Sequence, residues 1–179
     1  MFVIRTCRSG DVPSILRLLR EAGMRTDGVD KHPERFWVLE EAGESPRIAG
    51  TIGMEVHGRN GLLRSFVIKR GNWQPQAVVK LLLLVLSAAH KRGIDELYLA
   101  AAGSSPLFET LGFSTVDGSE LPEPIRDSEH LRQVANSGEA KVMRCLLSRF
   151  PFGVEEKFPP FPVLPDPSQG KGDRPSGRH

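Results

Sequence analysis

Residues 62–113 read LLRSFVIKRGNWQPQAVVKLLLLVLSAAHKRGIDELYLAAAGSSPLFETLGF, and the division of this stretch into elements decides the fold. Leu62 to Lys69 reads as a strand, joined to the one before it through Arg59-Asn60-Gly61, whose Asn-Gly pair is a strong short hairpin signal. Pro75 to Arg92 reads as a long helix: proline is well suited to the first turn, and Gly93 closes the last. Its apolar run from Leu81 to Ala89 falls short of the ~18–20 residues a membrane span needs, so it reads as a core helix. Leu97 to Ala101 is then a buried strand, Pro106 to Leu111 a short helix, and Gly112-Phe113 a turn into a further strand.

Outward from this stretch the periodicities keep alternating. Val3 to Thr6 is a short strand, and Ser9-Gly10-Asp11 ahead of Pro13 starts a helix in which Ile15, Leu16, Leu18, Leu19 and Ala22 recur at helical spacing before Gly23. Phe36 to Glu40 and Ile48 to His57 are strands, and Lys141 to Leu147 is the last. The expected order is one strand, one helix, three antiparallel strands, a helix, a strand, a helix and two strands. That is an α/β (α+β) arrangement, and no internal repeat interrupts it.

Composition bounds the function. The chain has 179 residues, enough for one domain and a short appendage. A domain of that size buries ~70% of its unfolded surface, so neither disulfides nor a metal is needed for folding. Its 24 basic and 22 acidic side chains leave a formal charge of +2, too weak to indicate nucleic acid or a membrane surface as partner. Cys7 and Cys145 lie far apart without metal-ligand spacing and read as two buried thiols. The N-terminal MFVIRT has no basic segment feeding an apolar one, so export is not indicated and a cytoplasmic protein is the expectation. Seven of the 14 prolines lie in the last 29 residues, which places a boundary near Phe150. The expectation is a globular domain over residues 1–149 and a Pro-rich disordered tail over 150–179.

The stretch from Arg64 to Phe113 resembles the core of the GNAT (GCN5-related) acyl-coenzyme A transferases. The residues that carry the likeness are the strand ending Phe66, Val67, Ile68, the helix closing on Gly93, and Phe108-Glu109 ahead of Gly112-Phe113, where the family writes aromatic-Glu-x-x-Gly-Phe. Within the family the chain is most similar to the N-acetylglutamate synthase and arsenic-operon-linked subgroup, on Leu62 to Ser65 and on LPEPIRDSEHL after the Gly-Phe turn. The resemblance implies a central mixed, mostly antiparallel sheet of six to seven strands with helices on both faces. It implies acetyl-CoA as cofactor, its pantetheine arm held between two splayed strands by the backbone of Phe66 and Ile68. It places the pyrophosphate on the start of the next helix, where unpaired N–H groups and a partial positive charge receive an anion.

The family loop there carries three glycines, but this chain has Asn72-Trp73-Gln74-Pro75-Gln76-Ala77-Val78, with Gln74, Gln76 and Val78 in the glycine positions. Pro75 also removes a backbone donor. A narrowed phosphate groove and weakened cofactor binding are therefore expected. Trp73, Gln74, Gln76 and Ala77 are the candidate phosphate-side residues, and Phe108, in the short helix, is a further cofactor-binding candidate. Family catalysis needs a base and an acid. The base is commonly a Glu on strand four, where this chain has an apolar residue near Leu62, and the acid a Tyr at the position of Phe108. Arg64 and Ser65 are the side chains the resemblance leaves at the splay, Arg64 as a holder of an acceptor carboxylate or oxyanion. His57 and Glu55 are weaker candidates, and the sole tyrosine, Tyr98, reads as core.

Two functions follow. One is acetyl transfer from acetyl-CoA to a small-molecule, amino-acid-like amine, with a homodimer as a candidate assembly. The other is a catalytically inactive GNAT-fold binding or regulatory module, acting through a surface or through Phe158-Pro159-Pro160-Phe161-Pro162. That segment matches a polyproline II ligand for an aromatic-lined reading domain.

Overall fold

The computed structural model describes residues 1–101, 105–135 and 140–150. The tail from 151 on, including Phe158 to Pro162, lies outside the described residues.

In chain order the elements are β1 (Phe2–Thr6), α1 (Val12–Glu21), β2 (Phe36–Glu41), β3 (Arg47–His57), β4 (Asn60–Ile68), α2 (Pro75–Lys91), β5 (Glu96–Ala101), α3 (Ser105–Thr110), β6 (Ser114–Thr115), α4 (Glu123–Arg126), α5 (Glu129–Ala135) and β7 (Lys141–Leu146). The strands form one seven-stranded sheet in the order β1-β2-β3-β4-β5-β7-β6. Every pairing is antiparallel except that of β4 with β5. Helix α2 supplies the crossover that a parallel pair requires.

Helices cover both faces, and the strand period shows it. Along β2, Phe36 and Val38 pack with Ile15 and Leu19 of α1, whereas the alternate residues Trp37 and Leu39 pack with the buried face of α2. A strand covered on both sides should be apolar throughout, and Phe36 to Leu39 are all buried. Seven α2 side chains from Val78 to Ala89 enter the main core beside Ile52, Met54, Leu97 and Leu99. The guanidinium of Arg92 lies 5.4 Å from the Trp37 ring, closing this layer at its edge.

Two features depart from expectation. The hairpin between β3 and β4 turns at Gly58-Arg59, with Gly58 at φ 63°, so Asn60 and Gly61 are the first residues of β4 rather than the turn. Gly61 is retained there for space: a Cβ would come within 2.7 Å of Leu97 Cδ1. Second, α4 and α5 occupy a stretch without a helical reading. They contribute Ile125 and Leu131 to a third cluster with Leu62, Tyr98 and Val116 on the sheet face opposite the main core. With four and seven residues, they are too short to display a 3.6-residue period. Ser128 starts α5, its Oγ accepting from the Leu131 amide at 3.2 Å. Among the described residues no helix is long and apolar enough to cross a membrane.

Candidate active site between two splayed strands

The site begins with an interruption of strand pairing. β4 and β5 are in register at Asn60↔Glu96, Gly61↔Leu97 and Leu62↔Tyr98, and their ladder ends there. From Leu63 onward the edge of β4 that faces β5 carries backbone groups without a ladder partner. β4 also holds a bulge against β3. Gly53 pairs with Arg64 and Thr51 with Val67, so the two residues Ser65 and Phe66 stand opposite the single Ile52. Ser65 has φ 56°, and it is the one non-glycine residue at positive φ among those described. A bulge of this kind bends the strand and re-aims the side chains beside it.

Into the gap opens a cavity of about 300 Å³. Its polar side chains are Arg64, Ser65 and His130, and its apolar wall includes Phe66, Leu99 and Phe108. Phe108 is buried and meets Phe66 edge-on, with ring centroids 5.8 Å apart, and Phe113 in the same way at 5.6 Å. The ring of Phe108 therefore ties α3 to the bulged strand, and it offers no hydroxyl.

Arg64 is buried, with 6% of its surface exposed. Its Nε donates to Ser65 Oγ at 3.2 Å, Nη1 to Glu55 Oε1 at 3.4 Å and Nη2 to the Asp27 carbonyl at 2.9 Å. Asp27 Oδ2 also lies 3.5 Å from Nη1 and 2.8 Å from Arg25 Nη2. Burial raises the Asp27 carboxyl, but Arg64 and Arg25 together outweigh it and hold the group below its ordinary value. Glu55 Oε2 and the Arg25 Nη1 are buried with no hydrogen-bond partner. His57 Nε2, likewise unpartnered, lies 3.6 Å from Glu55 Oε2.

His130 projects from α5 into the cavity wall. Burial, reinforced by the guanidinium groups of Arg64 and Arg25, pushes its imidazole below the ordinary range, with Glu55 and Asp27 opposing.

The candidate phosphate side lies beyond the far end of β4. Helix α2 starts at Pro75 with Gln74 in extended conformation before it, and the Val78 amide donates to the Gln74 carbonyl at 3.0 Å. Within the first turn only Gln76 and Ala77 then keep backbone donors outside the helical ladder. Gln74 and Gln76 are exposed, while Val78 is buried and serves the core. Trp73 packs partly against the main core, and its indole Nε1 is buried without a partner.

The fold thus brings Arg64, Ser65, Phe66 and Phe108 to one cavity, while Ile68, Trp73, Gln74, Gln76 and Ala77 stand outside it on the route to α2. Glu55 does not line the cavity and reaches it only through Arg64. Tyr98 is fully buried, its hydroxyl donating to Glu96 and its pKa pushed up to about 12 by burial. Burial also raises the Cys7 and Cys145 thiols to about 11, which leaves neither as a nucleophile at neutral pH. Sequence reasoning missed His130, Arg25 and Asp27. The segment LPEPIRDSEHL gave a resemblance but no geometry, and only tertiary packing turns His130 toward β4.

No family model matches the chain, and no curated protein matches it by sequence. Solved structures do match. N-acetylglutamate synthase from Neisseria gonorrhoeae, complexed with coenzyme A and N-acetyl-glutamate, superposes over 82% of this chain with a TM-score of 0.68 at 22% identity. The match takes in 35% of that protein, so this chain spans about a third of its length. Rv2747 from Mycobacterium tuberculosis, in complex with CoA, matches over 80% of this chain and 98% of its own, with a TM-score of 0.68 at 14% identity. A GNAT-family acetyltransferase from Staphylococcus aureus covers 82% and 99%, with a TM-score of 0.62 at 16% identity. Two of these three neighbours hold coenzyme A, and the third is an acetyltransferase of the GNAT family. Likeness of this extent to solved structures is likeness of fold: this chain has the GNAT fold.

Proposed function

We propose that the chain is an acyl-coenzyme A-dependent N-acyltransferase that moves an acetyl group to a small, amino-acid-like amine. The observation that carries this reading is the loss of β4–β5 pairing after Leu62↔Tyr98, which opens the cavity against an unpaired strand edge. An unpaired edge is a row of donors and acceptors waiting for an extended ligand. The pantetheine arm is such a ligand, and the edge from Phe66 to Ile68 would hold it. The residues fit the rest of the cofactor less fully, since the Gln76 and Ala77 amides at the α2 start serve the phosphates without glycine to admit them closely. Weaker binding than a glycine loop provides is the expected result.

When bound, acetyl-CoA supplies the activated acyl carbon. The chain's own contribution is orientation and exclusion of water. Phe66, Leu99 and Phe108 make the cavity wall apolar, and Arg64 presents fixed positive charge beside it. Arg64 also supports an acceptor that carries a carboxylate, and one neighbour holds N-acetyl-glutamate. A free amino acid is therefore the acceptor class to test first.

Titration calorimetry with acetyl-CoA, followed by thiol release in the presence of each of the twenty common amino acids, tests the reading. Binding in the micromolar to low millimolar range with turnover of at least one amine supports it. No binding at millimolar acetyl-CoA sinks it. Phe108, which presents no hydroxyl to a leaving thiolate, favours a second reading in which the GNAT fold binds without acylating. Binding without turnover of any acceptor would select that one.

A further inference from the structure

We propose that His130 is the general base of the acyl transfer, an imidazole set in the wall of the cavity that takes the proton from the acceptor amine. The proposal rests on the acyltransferase reading above. It starts from the chemistry of the cavity. An amino acid enters with its nitrogen protonated, and an ammonium has no lone pair with which to attack. Three polar side chains line the cavity among the described residues. Arg64 is a guanidinium, which stays protonated in proteins, and the Ser65 hydroxyl is far too weak a base. His130 is left as the side chain that can accept a proton near neutral pH.

Its setting suits the task. α5 is anchored by Leu131, which packs with Leu62 of β4 in the third cluster, and it begins at the buried Ser128; its His130 lines the cavity together with Leu63 to Phe66 of β4. The His130 ring makes no hydrogen bond among the described residues. The charged groups that face it are Arg64 from β4, Glu55 from β3, and Arg25 and Asp27 from the segment after α1. On its own helix, Glu129 is turned to Arg25 at 3.3 Å. With two cations and two anions around a partly buried ring, burial decides the balance and the neutral imidazole is favoured. A base must be neutral to act.

The step balances without any further reactant. The imidazole takes one proton from the ammonium. The freed nitrogen lone pair forms the C–N bond to the acyl carbon, the C–S bond breaks, and the electron pair leaves on sulfur. The second proton of the attacking nitrogen goes to that thiolate, and the imidazolium returns its proton to solvent. The products are the N-acyl amino acid, the free thiol and one proton.

The test uses the full chain. Of the five histidines, the imidazole resonance lost in His130→Gln identifies the ring, and its titration in the wild-type protein is read by NMR. The expected midpoint lies below 6.5. Acetyl transfer from acetyl-CoA to the fastest of the twenty amino acids should show kcat rising with pH through that same midpoint. His130→Gln and His130→Asn should lower kcat by about 10²–10⁴-fold and abolish that limb, while KM for acetyl-CoA stays within about twofold. Circular dichroism and thermal melting of both variants separate this from misfolding. A ring that titrates above 7, or a folded variant with wild-type kcat and pH profile, overturns the proposal and leaves the acyltransferase reading standing. A wild-type chain that binds acetyl-CoA but acylates none of the amines overturns both.

Discussion

At Arg64 the side chain is 5% exposed and faces two carboxylates, Glu55 Oε1 at 3.4 Å and Asp27 Oδ2 at 3.5 Å. Removing one partner of a buried ion pair strands the others, and the full effect is about 3–5 kcal/mol. Asp27 is half exposed, so solvent screens part of this. Arg64→Met is therefore expected to lower unfolding free energy by about 3 kcal/mol, and adding Glu55→Gln should recover part of it, as urea denaturation will show. Two pH effects belong to the same scale. The folded-state pKa of His130 lies below its unfolded value, so the unfolded chain takes up that proton first as pH falls. The His130 contribution to stability is present above the ordinary imidazole range and is lost as pH drops toward the folded value, and His130→Gln should flatten melting temperature against pH there. Cys145 runs the other way. Its folded thiol titrates at about 11 against 9.0 for an ordinary one, so its contribution is complete below pH 9 and is lost on the way to 11. Cys145→Ser should blunt that alkaline decline.

At the scale of elements the bulge in β4 carries most of the consequence. Ser65 sits at φ 56° where β-branched residues are strained. Ser65→Val is expected to cost about 1–3 kcal/mol and Ser65→Gly far less, measured by thermal unfolding. Across the ladder, Gly53 lies under the Phe36 ring, and an added Cβ would stand 2.5 Å from Phe36 Cε1. Because Phe36 is itself core, it cannot swing away, and Gly53→Ala should cost about 1–3 kcal/mol. Both elements that frame this strand pair were legible in sequence, α2 from its apolar run and β5 from LYLAA. The bulge was not, because a single extra residue leaves the apolar content of a strand unchanged. Nor was the turn at Gly58-Arg59 distinguishable from Asn60-Gly61, since both pairs contain a glycine suited to a tight turn and register across the ladder decides between them.

At the scale of the whole molecule the sheet works as two halves that share a core. β1 to β4 pair continuously, β5 pairs with β7, and the halves meet at three residue pairs between β4 and β5. Helix α2 packs on one face of the sheet and α4 and α5 on the other. An extended ligand laid into the gap would replace missing ladder bonds, so stabilisation is expected without rearrangement of the strands. At a hundredfold excess over its dissociation constant a ligand adds about 2.7 kcal/mol. On the acyltransferase reading, acetyl-CoA at that excess should raise the melting temperature of a domain of this size by about 5–11 °C, and by less at lower excess, read by differential scanning fluorimetry.

Periodicity by itself determined the elements that rest on repetition: the apolar stripe of α1, the buried run of α2, and strands with both faces apolar. The resemblance of Arg64 to Phe113 to the GNAT core anticipated the architecture. Tertiary structure alone decided which charged groups gather around Arg64 and His130 at the cavity wall. Arg25, Asp27, Glu55, Arg64 and His130 come from four separate segments, and their spacing along the chain carries no common period. They are brought together because apolar burial fixes the layers, and the layers then leave a gap at the one parallel pair where the ladder ends.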